Sequence, residues 1–248
     1  MIKVKQNKYD DDVFFDKYSN MSRSKNGLEG AGEWHELKKM LPNFKDKRVL
    51  DLGCGFGWHC RYAVENGARS VIGIDISQKM LSEAKSKTKC GNIEYICMPI
   101  EDIDFPEESF DVVISSLALH YIKSFEDVLD RVYKCLSTGG DFVFSVEHPI
   151  FTAQGPQDWY YDDKGNILHW PVDHYFTEGI RNAKFLGEEV IKYHRTLTTY
   201  LNSLIRKGFE ITGVVEPKPE KNMLNTVSGM LDELRRPMML LVSARKRL

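Results

Sequence analysis

The stretch Val49-Leu50-Asp51-Leu52-Gly53-Cys54-Gly55-Phe56-Gly57-Trp58 constrains the fold more than any other part of the chain. A short apolar run enters three glycines at alternate positions, and a helix-compatible segment follows. Strand, glycine turn and helix in that order belong to a parallel βαβ unit, with the turn at a ligand. Glycines there let the backbone bend sharply and approach a bound molecule closely. A dinucleotide fingerprint needs its third glycine one place later, where Trp58 stands, so NAD binding is disfavoured. No Gly-Lys-Ser/Thr follows, which excludes a nucleoside triphosphate loop.

Alternation continues after this motif. Strand-like RVLDL (48 to 52), SVIGID (70 to 75), NIEYIC (92 to 97), DVVISS (111 to 116) and DFVFSVE (141 to 147) are separated by helical spacing. Ser124 and Asp127 mark a helix start, Phe125, Val128, Leu129, Val132, Tyr133 and Leu136 share its face, and Gly139-Gly140 is read as its stop. A last helix around Leu197 to Ile205 precedes the strands FEITGVV (209 to 215) and MMLLVSA (238 to 244). Residues 1–44 read as an arm, with a helix near Trp34 to Leu41, and 45–248 as one α/β domain. Between His148 and Glu189 regularity fails, and the aromatic residues Trp159, Tyr160, Tyr161, Trp170, Tyr175 and Phe176 gather. Long excursions of this kind are binding loops or lids, so 149–190 is read as a substrate lid.

Two acids narrow the ligand. Asp75 ends the second strand about twenty residues after the turn, where a carboxylate accepts ribose hydroxyls. Asp51 puts a negative charge just before the turn, which opposes a pyrophosphate and suits a ligand carrying an ammonium or another cation.

With these residues in view, the chain resembles the class I S-adenosylmethionine (SAM)-dependent methyltransferases of small-molecule type, with a methyltransferase-11-like domain. VLDLGCGFG matches the first motif and VIGID the second; MPIEDIDFPEESFDVVISSLALHYI and LSTGGDFVFSVEHPIF extend the likeness from Arg48 to Pro149. The resemblance implies a doubly wound, Rossmann-like seven-stranded sheet, mostly parallel with one antiparallel strand and with helices on both faces. SAM, with S-adenosylhomocysteine as product, would lie across the carboxyl ends of strands one and two. It implies that Gly53, Cys54, Gly55 and Gly57 form the cofactor turn, that Asp51 reaches the methionine amino group, and that Asp75 with Ile76 takes the ribose. Ile100 and Glu101 would meet the adenine; Pro99 stands where relatives often have an acid. Ser116 completes the set, and Tyr18 and Arg23 of the arm would close over it, Arg23 pairing with the methionine carboxylate.

Methyl transfer needs orientation, exclusion of water and sometimes removal of a proton. His148 after strand five and His120 after strand four are the candidate bases. Tyr121, Glu147, Trp159, Trp170 and His194 are the expected substrate contacts. No cysteine follows a proline and no Asn/Asp-Pro-Pro-Tyr run follows strand four, which disfavours cytosine-C5 and base-amino methylation. With a formal net charge of -2 there is no electrostatic footprint for nucleic acid. The five cysteines form no CxxC pair, no histidine pair has metal spacing, and no apolar run is long enough to span a membrane. A small-molecule acceptor, no metal, no nucleic acid and a cytoplasmic setting are therefore expected. The alternative is a SAM-binding regulatory module without turnover; aminopropyl transfer is disfavoured.

Overall fold

A computed structural model describes residues 5–247; the first four residues of the expected arm and Leu248 lie outside it. In chain order the elements are α1 (Asp12–Ser19), α2 (Ser22–Lys25), α3 (Trp34–Met40), β1 (Arg48–Leu52), α4 (Trp58–Glu65), β2 (Ser70–Asp75), α5 (Gln78–Lys87), β3 (Ile93–Cys97), β4 (Phe110–Ser116), α6 (Phe125–Cys135) and β5 (Leu136–Glu147). There follow α7 (Pro149–Thr152), β6 (Tyr160–Tyr161), β7 (Ile167–His169), β8 (Gly179–Phe185), β9 (Glu188–His194), α8 (Leu197–Lys207), β10 (Phe209–Val215), α9 (Lys221–Thr226) and β11 (Met239–Lys246).

Seven strands form one sheet in the order β10-β11-β5-β4-β1-β2-β3. Pairs among β1 to β5 are parallel, whereas β11 runs antiparallel to both β5 and β10. The doubly wound α/β sheet with a single antiparallel strand is the expected one. Alternation along β1 explains how both faces are covered. Leu50 and Leu52 pack with Phe125, Val128, Leu129 and Val132 of α6 and Tyr200 and Leu204 of α8. Val49 turns the other way, towards Cys60 and Ala63 of α4 and Leu81 of α5. Strands buried on both faces must be almost continuously apolar, which is how RVLDL and DVVISS read.

Some boundaries differ from expectation. Helix α6 ends at Cys135, before the glycine pair, and β5 begins at Leu136 instead of Asp141. Gly139-Gly140 is a local irregularity in the strand: Phe110 faces Leu136 while Val112 already faces Asp141. A Cβ at Gly140 would come within 2.9 Å of the Asp111 carbonyl, so only glycine fits that close approach. The excursion also runs past 190, because the β8–β9 hairpin continues to His194.

Candidate active site

The carboxyl ends of β1, β2, β4 and β5, the loop after β3, the arm and the β8–β9 hairpin enclose a cavity of about 870 Å³. Open α/β sheets put their ligands there, because the connections diverge where strand order reverses. Gly53 and Gly55 adopt φ of +72° and +53°, and both line the cavity. A Cβ at Gly53 would stand 2.5 Å from that of Ala118; one at Gly55 would meet nothing within 4 Å, so the turn offers bare backbone there. Gly57 has a different task from the expected one. It lies outside the cavity wall, and a Cβ would meet the Tyr95 hydroxyl at 2.2 Å, so it lets α4 pack against β3.

Asp75 lines the cavity and also braces the turn. Its Oδ2 accepts the Gly55 N–H and its Oδ1 the Ser77 N–H, both at 2.9 Å. Each oxygen keeps a lone pair for a ribose hydroxyl. Burial pushes this carboxyl up to about 6, against the lowering effect of the Ser77 and Gly55 amides. Asp51 departs from expectation. It points to the face that carries α4, is 1% exposed, and is absent from the cavity wall. The Cys60 thiol donates to its Oδ2 at 3.2 Å, while Oδ1 is buried without a partner. Desolvation raises Asp51 to about 7. Cys54 lines the cavity, but burial pushes its thiol up to about 11, so it is no nucleophile at neutral pH. Ile76, Ile100, Glu101 and Ser116 line the cavity as expected. The residues present fit SAM: a bare-backbone cradle, a carboxylate with lone pairs to spare and the Ile100–Glu101 loop line one enclosed space.

The arm forms part of the roof. Asp10 accepts from Ser77 Oγ at 2.6 Å and Lys79 N at 3.1 Å, fixing the arm to the start of α5. Gln6 exchanges two hydrogen bonds with the Ile191 backbone, and Phe14 packs with Ala183 and Val190, so arm and hairpin are joined. Tyr18 and Arg23 reach the cavity. Arg23, however, already holds a partner: its Nη2 donates to Glu33 Oε1 at 2.7 Å, and Glu33 is 1% exposed. Sequence reasoning missed Glu33, and nothing in its local pattern marks it. It also missed His59, which lines the cavity beside this pair and which burial lowers to about 4.

At the far end Tyr121, His120 and Glu147 line the wall. His120 Nδ1 accepts the Glu147 N–H at 3.4 Å, so the neutral ring carries its proton on Nε2. Burial lowers His120 to about 4, far from the near-neutral base expected. Glu147 Oε1 accepts from Lys192 Nζ at 2.5 Å and Oε2 from Gln157 Nε2 at 2.8 Å, while Lys192 also donates to Gln157 Oε1 at 2.8 Å. Burial alone would raise Glu147, yet His120 and the Lys192 ammonium hold it below its ordinary value. Lys192 and Gln157 were missed. Nothing in the residue pattern of β9 marks Lys192, because the apolar Ile191 is exposed and the charged Lys192 beside it is buried, the reverse of what alternation by residue type suggests.

Besides Asp51 and Gly57, four expected site residues lie away from the cavity wall. His148 caps α7, its Nδ1 accepting the Ile150 N–H at 3.0 Å, and its Nε2 lies 2.8 Å from Glu216 Oε1, off the line of a good hydrogen bond. His194 is fully buried; Nε2 donates to the Tyr175 carbonyl, so Nδ1 accepts the Thr152 hydroxyl. Trp170 stacks on Phe151 at 5.0 Å and meets Trp159 edge-on, and the Arg236 guanidinium sits 4.1 Å from the Trp170 ring. These tryptophans anchor the excursion to the segment before β11. Phe185, Val190 and Tyr193 of the hairpin line the cavity in their stead.

Comparison with known proteins agrees with this geometry. Residues 50–144 match the model of a methyltransferase domain family. A crystal structure of a Listeria monocytogenes protein assigned to the SAM-dependent methyltransferases is 58% identical, covering 90% of this chain and 100% of that one, with a TM-score of 0.85. A SAM-dependent methyltransferase from Mesorhizobium loti is 45% identical over 88% of this chain and 100% of that one, with a TM-score of 0.82. A Haemophilus influenzae protein is 37% identical over 96% of both chains. The chain belongs to the SAM-dependent methyltransferases, and SAM is its cofactor. More distantly, a tRNA U34 carboxymethyltransferase of Hahella chejuensis is 29% identical over 64% of this chain and 45% of that one.

Proposed function

We propose that the chain methylates a small molecule held in the cavity beyond the glycine turn, between Tyr121, Glu147 and the β8–β9 hairpin. One observation carries this reading: the cavity of about 870 Å³ is continuous from Asp75 and Ile100 to Lys192 and Phe185, under a roof of arm and hairpin. Pockets of roughly 300–1,000 Å³ hold molecules of drug size, so a cofactor and a compact acceptor fit together. A roofed pocket of this kind is suited to a free metabolite rather than to a nucleic acid strand, whose backbone needs an open basic groove. Five unpaired cysteines support a reducing, cytoplasmic setting.

Bound SAM supplies a methyl group already activated by its sulfonium. The chain contributes orientation and dryness. Asp75 and the glycine turn fix one side; Phe185, Val190 and Tyr193 exclude water on the other. His120, neutral with Nε2–H, serves as a hydrogen-bond donor that orients the acceptor. The reading is tested by incubating the protein with methyl-labelled SAM and a cell extract, then separating the products by size. Label in the low-molecular-mass fraction supports it; label in tRNA or protein overturns it.

A further inference from the structure

The charges enclosed in the cavity wall do not balance. Arg23 is paired with Glu33 and Lys192 with Glu147. Among the described residues Asp75 accepts from the Gly55 and Ser77 amides, and Asp51 behind the turn from the Cys60 thiol, with no cation on either. Lys5 pairs with Asp102, Lys123 and Lys184 are exposed at the rim, and Lys8 is half-buried. Among the described residues Asp75 therefore has no cationic partner, and burying charge without one is costly.

Three tyrosines line the same cavity. Tyr9 stands perpendicular to Tyr18 at 5.2 Å and to Tyr121 at 6.5 Å, each pair at 89°. Tyr18 is tied to the glycine turn by Phe56, 5.8 Å away at 85°. Tyr121 is tied to it through Ala118, whose carbonyl accepts the Tyr121 N–H at 3.0 Å and whose Cβ faces Gly53. The cluster thus sits between the turn and the Glu147 wall. Rings set at right angles turn faces in more than one direction, and aromatic faces attract positive charge, especially away from water.

We propose that Tyr9, Tyr18 and Tyr121, in the field of the unpaired Asp75, form a subsite for an onium group. The inference rests on the SAM site described above and assigns these tyrosines within it. One chemistry has two sources here: the sulfonium of the cofactor, or the ammonium of an amine acceptor. Recognition of either is by charge, so it discriminates against neutral isosteres.

Calorimetry separates the sources. The first arm titrates wild type, Tyr18→Leu, Tyr121→Leu and Tyr121→Phe with SAM, with sinefungin, whose amine replaces the sulfonium, and with S-adenosylhomocysteine, whose sulfur is neutral. The leucine variants should lose at least about tenfold more affinity for the two cations than for S-adenosylhomocysteine, and Tyr121→Phe should keep the wild-type ratio. The second arm titrates tetramethylammonium, against tert-butanol, into the S-adenosylhomocysteine complex. Selective binding of the cation that Tyr121→Leu abolishes assigns the subsite to an amine acceptor as well; its absence assigns it to the sulfonium alone. If all three cofactor ligands weaken equally and tetramethylammonium does not bind, the subsite is refuted. Measurable S-adenosylhomocysteine binding by wild type leaves the SAM site standing even then, whereas no binding by wild type would refute the SAM site itself.

Discussion

Asp51 makes the ligand-free protein less stable as pH rises. Its ordinary value is 3.8 and its folded value about 7, raised by burial, with the Cys60 thiol as its one donor. Between those pH values the folded state holds a proton that the unfolded state has released, so stability is lost as pH climbs through the window. From pH 5 to pH 8 the linkage amounts to about 2.6 kcal/mol for this group. Asp51→Asn keeps the shape and an oxygen for the Cys60 thiol but does not titrate. Urea unfolding of wild type and variant, without SAM, at pH 5, 6, 7 and 8 gives the two pH profiles. Their difference removes contributions from the other titrating groups, such as His59 and His120, whose lowered values act with the opposite sign. The wild type should lose about 2–3 kcal/mol more than Asp51→Asn across this range. Parallel profiles, or a larger loss in the variant, would refute the reasoning.

Asp75→Asn sets an amide N–H₂ against a backbone N–H and removes a ribose acceptor; S-adenosylhomocysteine should bind about 2–4 kcal/mol more weakly by calorimetry, with the fold retained by circular dichroism. His148→Ala removes a helix cap outside the cavity, so unfolding should show a loss of about 1 kcal/mol while S-adenosylhomocysteine affinity is unchanged. Lys192→Met strands the Glu147 carboxylate and should cost about 3–5 kcal/mol in urea unfolding. Adding Glu147→Gln should restore most of that; a double variant as unstable as the single would show that the pair is not what Lys192 supplies.

How much was legible depended on whether the cause was local. Strands β1 and β2 begin and end where the apolar runs do, because a parallel strand covered on both faces admits few polar residues. The glycine turn was legible for the same reason, since its φ values belong to glycine. The His148-Pro149 pair carried a helix-start signal, with proline at the first helical position, that would have identified a cap rather than a base. Trp159 and Trp170 show what was not legible. Aromatic residues in a long excursion suit a binding surface or an anchor equally, and Arg236, some seventy residues away in sequence, decides for the anchor. Glu33 likewise acquires its meaning only from Arg23 across a fold of the arm. Asp51 was assigned to the right turn but the wrong side, because alternation along β1 sends it with Val49 towards α4.

A crystal structure of the protein with S-adenosylhomocysteine tests the central claim most directly. The account predicts the ribose on Asp75, the adenine beside Ile100 and Glu101, and open space left between Tyr121, Glu147 and Phe185 for an acceptor. Density for the ligand across the Glu147 and Lys192 wall, or outside the cavity, would contradict it.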